Sequence, residues 1–182
     1  MRKRITAALI AIFAASSVSA LELTSPDIEN GAMLNDKQVF NGFGCSGDNI
    51  SPALAWADVP KGTKSFALMV YDPDAPTGSG WWHWVAFNIP AATRALAAGA
   101  GTISAGVMPE GVVQGRTDFG TAGYGGACPP AGHGEHRYQF RLFALGVESL
   151  PLDGTASAAM VGFMVQQNAL ESVTIEAVYK RD

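Results

Sequence analysis

The sequence predicts a mostly antiparallel β fold with one or two peripheral helices, and three observations support this. Three short runs have the apolar composition or the alternation of β-strands. Glycine and proline, 21 and 10 among the 182 residues, interrupt nearly everything between those runs. Helical periodicity is confined to one late segment, which argues against a βαβ repeat. No repeat or linker divides the chain, so a single domain of residues 21–182 is expected.

The first two strands are expected at Ser65–Asp72 and at residues 81–89. The first is short, apolar and ended by an Asp-Pro turn, as buried strands are. Because side chains alternate along a strand, the second should present two different faces. One face would carry Trp81, His83 and Val85, and the other Trp82, Trp84 and Ala86. Trp82 and Trp84 are then expected in the core, and Trp81 beside the histidine as a pocket wall.

The third strand is expected at residues 137–145, where the alternation is regular. It places Tyr138, Phe140, Leu142 and Ala144 on one face, with His136 in phase with Tyr138. Farther along, Asp153 or Thr155 is expected to cap a helix over about residues 156–170. A last strand should follow at residues 173–179.

The N-terminus resembles a secretory signal peptide covering residues 1–20. Three basic residues precede an apolar run over residues 5–15, and small residues follow up to Ala20. The alternative is a buried or anchoring N-terminal helix. The order of these features favours export to the periplasm or the medium, with no membrane span in the mature chain.

Without residues 1–20 the chain keeps nine basic residues against 16 acidic ones, a formal charge of −7. This balance argues against nucleic acid and anionic membranes as partners. Both cysteines, Cys45 and Cys128, lie in the mature part, and an even count in an exported chain favours a disulfide. The alternative is that Cys128 is a thiolate nucleophile near His136.

All three histidines lie in two segments, residues 72–84 and 123–138, which are rich in proline, glycine and aromatic residues. If these segments meet, they form a pocket for a small anion. The glycines at positions 123, 125 and 126 could supply backbone N–H groups to that anion. His133 and His136 are three residues apart, but no HExxH or CxxC pattern accompanies them, so neither a metal nor a cofactor is expected.

Three motifs together resemble the phosphatidylethanolamine-binding protein family, also called the Raf-kinase-inhibitor-like family. They are residues 72–76 with residues 81–84, residues 129–132 with residues 136–138, and residues 49–56. The resemblance implies a Greek-key β-sandwich with an anion pocket at one edge, and a homodimer. It also implies the residues of that pocket, which are Asp72, Pro76, Trp81, His83, Gly126, Cys128, Pro129, Pro130, His136 and Tyr138.

The function predicted from these observations is binding of phosphate or a phosphate-bearing head group by an exported protein. No activated nucleophile stands in the predicted pocket, so we expect no enzymatic activity. Two alternatives stay open: a secreted inhibitor or modulator of a protease, kinase or host signalling protein, and a weak hydrolase with His83 or His136 as the base. Anion affinity is expected to rise as pH falls and a pocket histidine takes up a proton.

Overall fold

A computed structural model describes residues 20–182 and places them in two larger antiparallel sheets, a two-stranded hairpin and one α-helix. The predicted signal peptide lies outside the described residues, except for Ala20. Two short 3₁₀ turns lie at Asp36–Gln38 and Ile103–Ala105. The strands are β1 (Glu22–Thr24), β2 (Asn41–Gly42), β3 (Cys45–Ser46), β4 (Leu54–Ala57), β5 (Ser65–Asp72), β6 (Trp81–Pro90), β7 (Ala95–Leu96), β8 (Val113–Gln114), β9 (His136–Leu145) and β10 (Ala169–Tyr179), and the helix is α1 (Ala158–Asn168).

The molecule has three layers. A three-stranded sheet in the order β1-β4-β7 packs on one face of a five-stranded sheet in the order β10-β9-β5-β6-β8. The core between the sheets includes Leu54 and Trp56 from one side and Phe66, Trp84 and Phe140 from the other. Helix α1 covers part of the opposite face of the five-stranded sheet. The predicted mostly β class, with antiparallel sheets packed face to face, is therefore confirmed.

The predicted strands are confirmed to within one residue at β5, β6 and β9, but the predicted face of Val85 is wrong. Tyr71 pairs with Trp82 and Val70 with Trp84, so His83 is the extra residue of a β-bulge. The bulge shifts the alternation by one residue. Trp84 consequently joins the inter-sheet core, while Val85 and the half-buried Trp82 face the helix layer.

Helix α1 begins later than the sequence predicts. Its N-cap is Ser157, whose Oγ accepts a hydrogen bond from the amide of Met160 at 3.3 Å. Asp153 instead accepts hydrogen bonds from the amide and hydroxyl of Thr155 in a turn ahead of the helix. The last strand starts at Ala169, immediately after the helix, and not at residue 173. Within residues 20–182, no helix is long and apolar enough to cross a bilayer.

Candidate functional site

The two histidine-bearing segments meet at one end of the five-stranded sheet. Because β5 runs antiparallel to both β6 and β9, its last residue lies beside the first residues of these neighbours. This brings Asp72, Trp81 and His136 to one edge, where a cavity of about 210 Å³ opens. Its lining consists of Phe43, Asp72, Ala75, Pro76, Thr77, Trp81, His83, Phe119, Cys128, Pro129, Pro130, His136 and Tyr138.

Nine of the ten residues predicted for the pocket line this cavity, and Gly126 does not. The predicted anion cradle of glycine amides is also wrong at Gly125 and Gly126, since both amides already have partners. The amide of Gly126 donates to Asn49 Oδ1 at 2.7 Å, and that of Gly125 donates to the carbonyl of His83 at 2.8 Å. These bonds fasten the glycine-rich segment to the strand and the loop beside it, so these two amides are not free to bind a ligand.

Asp72 and two histidines form a continuous hydrogen-bonded chain. His136 Nδ1 donates to Asp72 Oδ2 at 2.7 Å, and both side chains are buried. The carboxylate therefore fixes the ring orientation and the tautomer of His136, leaving Nε2 as its other hydrogen-bonding atom. That atom lies 2.7 Å from Nδ1 of His133, which is exposed to solvent. His133, an exposed loop residue, therefore extends the chain of hydrogen bonds from Asp72 to the protein surface.

The turn that carries Asp72 is held from both sides. Asp72 Oδ1 accepts a hydrogen bond from the amide of Asp74 at 2.8 Å. Asp74 in turn receives two guanidinium hydrogen bonds from Arg137, at 2.9 and 2.8 Å. The hydrogen bonds from Arg137 hold the pKa of Asp74 below its ordinary value. Asp74 therefore stabilises the turn and stays outside the cavity.

His83 is buried, and its Nδ1 donates to the carbonyl oxygen of Gly125 at 2.7 Å. Burial lowers the pKa of His83 because a charged ring in the protein interior loses its hydration, and this outweighs the nearby carbonyl and Asp72. The ring is thus neutral near pH 7, with its proton on Nδ1 and a lone pair on Nε2. His83 is therefore not the histidine that takes up a proton when an anion binds, as the sequence analysis allowed.

Two polar groups of the cavity lining are buried hydrogen-bond donors that have no acceptor. Neither the indole N–H of Trp81 nor the O–H of Tyr138 donates to an acceptor among residues 20–182. Burial, reinforced by the charge of Asp72, raises the pKa of Tyr138, so its hydroxyl keeps the proton. Unpaired buried polar groups are rare in folded proteins and require an explanation. Both donors belong to the cavity lining, which points to an acceptor supplied by a ligand.

The mouth of the cavity is aromatic, and the sequence did not predict this part of the lining. Phe43 is 69% exposed at the tip of the β2–β3 hairpin. Its ring stacks on Phe119 with centroids 5.9 Å apart, and Phe119 also contacts Trp81 edge to face at 5.4 Å. Both phenylalanines come from loops that carry no motif. The one signal was their position in glycine-rich loops, where large apolar residues are unusual.

The predicted disulfide between Cys45 and Cys128 is present, with Cα atoms 6.0 Å apart. It joins the β2–β3 hairpin to the wall formed by Cys128, Pro129 and Pro130. Arg181 adds hydrogen bonds to the carbonyls of Pro129 and Gly44 across the same junction. With both sulfurs in the disulfide, the alternative of a thiolate nucleophile at Cys128 is wrong for this structure. Within residues 20–182, no group of three or more histidine, cysteine or acidic side chains is arranged to hold a metal ion.

Comparison with known proteins supports the assignment suggested by the motifs. The model of the phosphatidylethanolamine-binding protein family matches residues 24–180. The chain belongs to this family. UPF0098 protein YbcL of Escherichia coli (strain K12) is 49% identical over 181 residues, covering 99% of each chain. UPF0098 protein YbhB of the same organism is 55% identical over 159 residues, covering 87% of this chain and 99% of that one.

Solved structures agree with this membership. The crystal structure of Escherichia coli YbcL superposes with a TM-score of 0.88 at 51% identity, covering 90% of this chain and 100% of that one. The phosphatidylethanolamine-binding protein homologue CT736 of Chlamydia trachomatis gives a TM-score of 0.74 at 30% identity, covering 90% and 99% of the two chains. The sandwich and its helix are therefore a known arrangement of the family.

Proposed function

We propose that this protein binds phosphate or a small phosphomonoester as its singly protonated anion in the cavity between Asp72 and Tyr138. The observation that carries the proposal is the pair of buried, unpartnered donors at Trp81 and Tyr138. Both can donate to phosphate oxygens, which accept several hydrogen bonds. The cavity volume, about 210 Å³, is below that of a typical drug-sized pocket and suits a small head group.

The protonation state of the ligand follows from the charges around it. Asp72 is buried at the cavity, and no Lys or Arg side chain belongs to the lining. A dianion would therefore lie near a carboxylate without a compensating cation, which is unfavourable in a buried site. A monoanion carries less charge and also keeps a P–O–H group. That hydroxyl can donate to the lone pair on Nε2 of His83.

Binding explains the lining better than catalysis does. The lining contains one hydroxyl besides Tyr138, that of Thr77, and it donates to the carbonyl of Gly80. Cys128 is held in the disulfide. Catalysis through a covalent intermediate requires a nucleophile within hydrogen-bond reach of a base, and neither side chain meets that requirement.

The test compares methyl phosphate with sulfate by isothermal titration calorimetry at pH 7.5 and 5.5. Methyl phosphate gains its proton near pH ~6, so its affinity should rise as pH falls. Sulfate stays dianionic over this range and has no proton for His83, so it should bind at least about tenfold more weakly at pH 5.5. Equal affinities of the two anions, or a sulfate affinity that rises with acidity, would contradict the monoanion mechanism.

We further propose that the protein works outside the cytoplasm, in the periplasm, as a homodimer. The disulfide supports export, since such bonds persist in oxidising compartments. The basic and apolar N-terminal segments provide the corresponding signal. Intact mass of the exported protein should correspond to a chain that begins at Leu21, and sedimentation analysis should give twice that mass. Retention of residues 1–20 would contradict processing, and a monomer mass would contradict the dimer.

A further inference from the structure

A second cavity lies on the opposite face of the five-stranded sheet, beside helix α1. Side chains alternate along β9, so Tyr138 faces the candidate site while Gln139 and Arg141 face the helix layer. Because α1 covers only part of that face, a space of about 280 Å³ is left next to it. The lining consists of Met69, Tyr71, Trp82, Gln139, Arg141, Phe143, Ala159, Gly162 and Gln166.

Arg141 supplies the one charge in this lining. Its Nε donates to Thr174 Oγ1 at 3.1 Å, and Nη2 has a long contact of 3.5 Å with Gln139 Oε1. Among residues 20–182, no carboxylate lies within ion-pair distance of its guanidinium. The nearby Glu176 is hydrogen-bonded to Gln139 instead. A half-buried, unpaired guanidinium with spare donors in an acidic protein is suited to receive an anion.

The rest of the lining is mostly apolar and partly aromatic. Tyr71 and Trp82 pack with ring centroids 4.4 Å apart, and Met69 and Phe143 extend the apolar surface. Phe163 is 61% exposed on α1. It follows Gly162 in the chain and lies one helical turn from Ala159, both of which line the cavity. An occupant of this space should therefore carry an apolar body as well as its charge.

Gly162 provides an independent observation. Glycine in the interior of a helix is destabilising relative to alanine, so its presence in α1 requires a reason. A Cβ at this position would have Met69 Cε as its nearest neighbour at 3.6 Å, an ordinary contact, and the backbone has no positive φ. Neither packing nor conformation requires glycine here. The missing side chain keeps the cavity open.

From these three features we propose that the cavity beside α1 binds a small monocarboxylate with an aryl or short alkyl body. One guanidinium balances one carboxylate, and its planar donors match two carboxylate oxygens. A phosphate dianion would keep one negative charge without a compensating cation, because Arg141 is the one charged side chain of this lining. The apolar body would lie between the Tyr71–Trp82 pair and the helix, with Gly162 leaving room for it.

The experiment titrates the purified protein with 3-phenylpropionate and, separately, with the neutral 3-phenyl-1-propanol by calorimetry. The carboxylate should bind, and the alcohol should bind about tenfold more weakly or not at all. Arg141→Met should lower carboxylate affinity by about tenfold or more. Arg116→Met, which removes the same charge from an exposed side chain elsewhere, is the matched control and should bind normally.

Gly162→Leu should block the cavity and abolish binding, while the helix is retained because leucine is a better helix former than glycine. His83→Ala should leave 3-phenylpropionate binding unchanged, which separates this site from the proposed phosphate site. No detectable binding to the wild-type protein, equal binding of the alcohol, or unchanged binding in Gly162→Leu would overturn the proposal. So would a change of oligomeric state in Gly162→Leu, since it would identify this face as a contact between two copies.

Discussion

Two buried tyrosines differ in the use of their hydroxyl groups. The hydroxyl of Tyr124 donates to the carbonyl of Gln38 at 2.8 Å, whereas that of Tyr138 has no acceptor among residues 20–182. Tyr138→Phe should therefore leave the free energy of unfolding nearly unchanged while lowering methyl phosphate affinity by about tenfold, because one hydrogen bond to a charged ligand is lost.

Tyr124→Phe is the matched control for Tyr138→Phe. It should lower stability by about 1 kcal/mol and leave methyl phosphate affinity unchanged. Urea unfolding and calorimetry of both variants separate the two effects. If Tyr138→Phe lost stability and kept its affinity, the hydroxyl would have a structural role.

The lowered pKa of His83 makes stability depend on pH in a definite direction. In the unfolded chain this ring titrates near pH ~6.5, while burial in the folded protein lowers its pKa. Below pH ~6.5 the unfolded state takes up the proton first, so the free energy of unfolding should fall as the solution is acidified. Between pH 7.5 and 5.5 the wild type should lose more of its free energy of unfolding than His83→Gln does. Equal losses in urea unfolding would show that His83 titrates normally in the folded protein.

Among the individual residues of the candidate site, the polar groups were predictable from the sequence, whereas the phenylalanines at the mouth of the cavity were not. Asp72, His83 and His136 could be identified because they belong to short motifs with proline, tryptophan and tyrosine neighbours. Phe43 and Phe119 reach the same cavity from separate loops, and their approach depends on the fold of the intervening chain. The glycine amides were predicted as free donors because their partners, such as Asn49, are distant in sequence.

At the scale of elements, the strands were predictable and their irregularities were not. Apolar runs and alternation located β5, β6 and β9, since burial of one or both faces fixes these patterns. The bulge at His83 is set by pairing with β5, which no local pattern reveals. It places consecutive residues, His83 and Trp84, on the side of the three-stranded sheet, one at the candidate site and one in the core. The bulge in β6 therefore lies at a residue of the candidate site, His83.

Helix α1 begins at a serine N-cap, Ser157. Because Ser157 satisfies the amide of Met160, Ser157→Ala should lower the free energy of unfolding by about 1 kcal/mol. Asp153→Ala serves as the comparison, since Asp153 stabilises a turn before the helix and should matter less. Thermal and urea unfolding report both values. A larger loss in Asp153→Ala would place the effective cap where the sequence first suggested it.

At the scale of the whole molecule, two cavities lie on opposite faces of one sheet and share its strands. Asp72 and Trp81 belong to the candidate phosphate site, while their neighbours Tyr71 and Trp82 line the cavity beside α1. Alternation along a strand gives such adjacent residues opposite surroundings. Variants on one face should therefore leave the other site intact, unless they disturb the strand pairing itself.

The disulfide links local geometry to global stability, because it closes a loop between residues 83 positions apart that contains β4 to β8. Replacing both cysteines, as in Cys45→Ala with Cys128→Ala, should lower the free energy of unfolding by about 2–5 kcal/mol. Phosphate affinity should also fall, since the bond fixes the hairpin that carries Phe43 against the wall at Cys128.

Urea unfolding and methyl phosphate titration, with and without a thiol reductant, measure both quantities. The reductant should reproduce these losses in the wild type and have no effect on the double variant. Unaltered phosphate affinity in the destabilised variant would show that the hairpin keeps its position without the bond, and the pocket wall would then depend on the hydrogen bonds of Arg181 to Pro129 and Gly44.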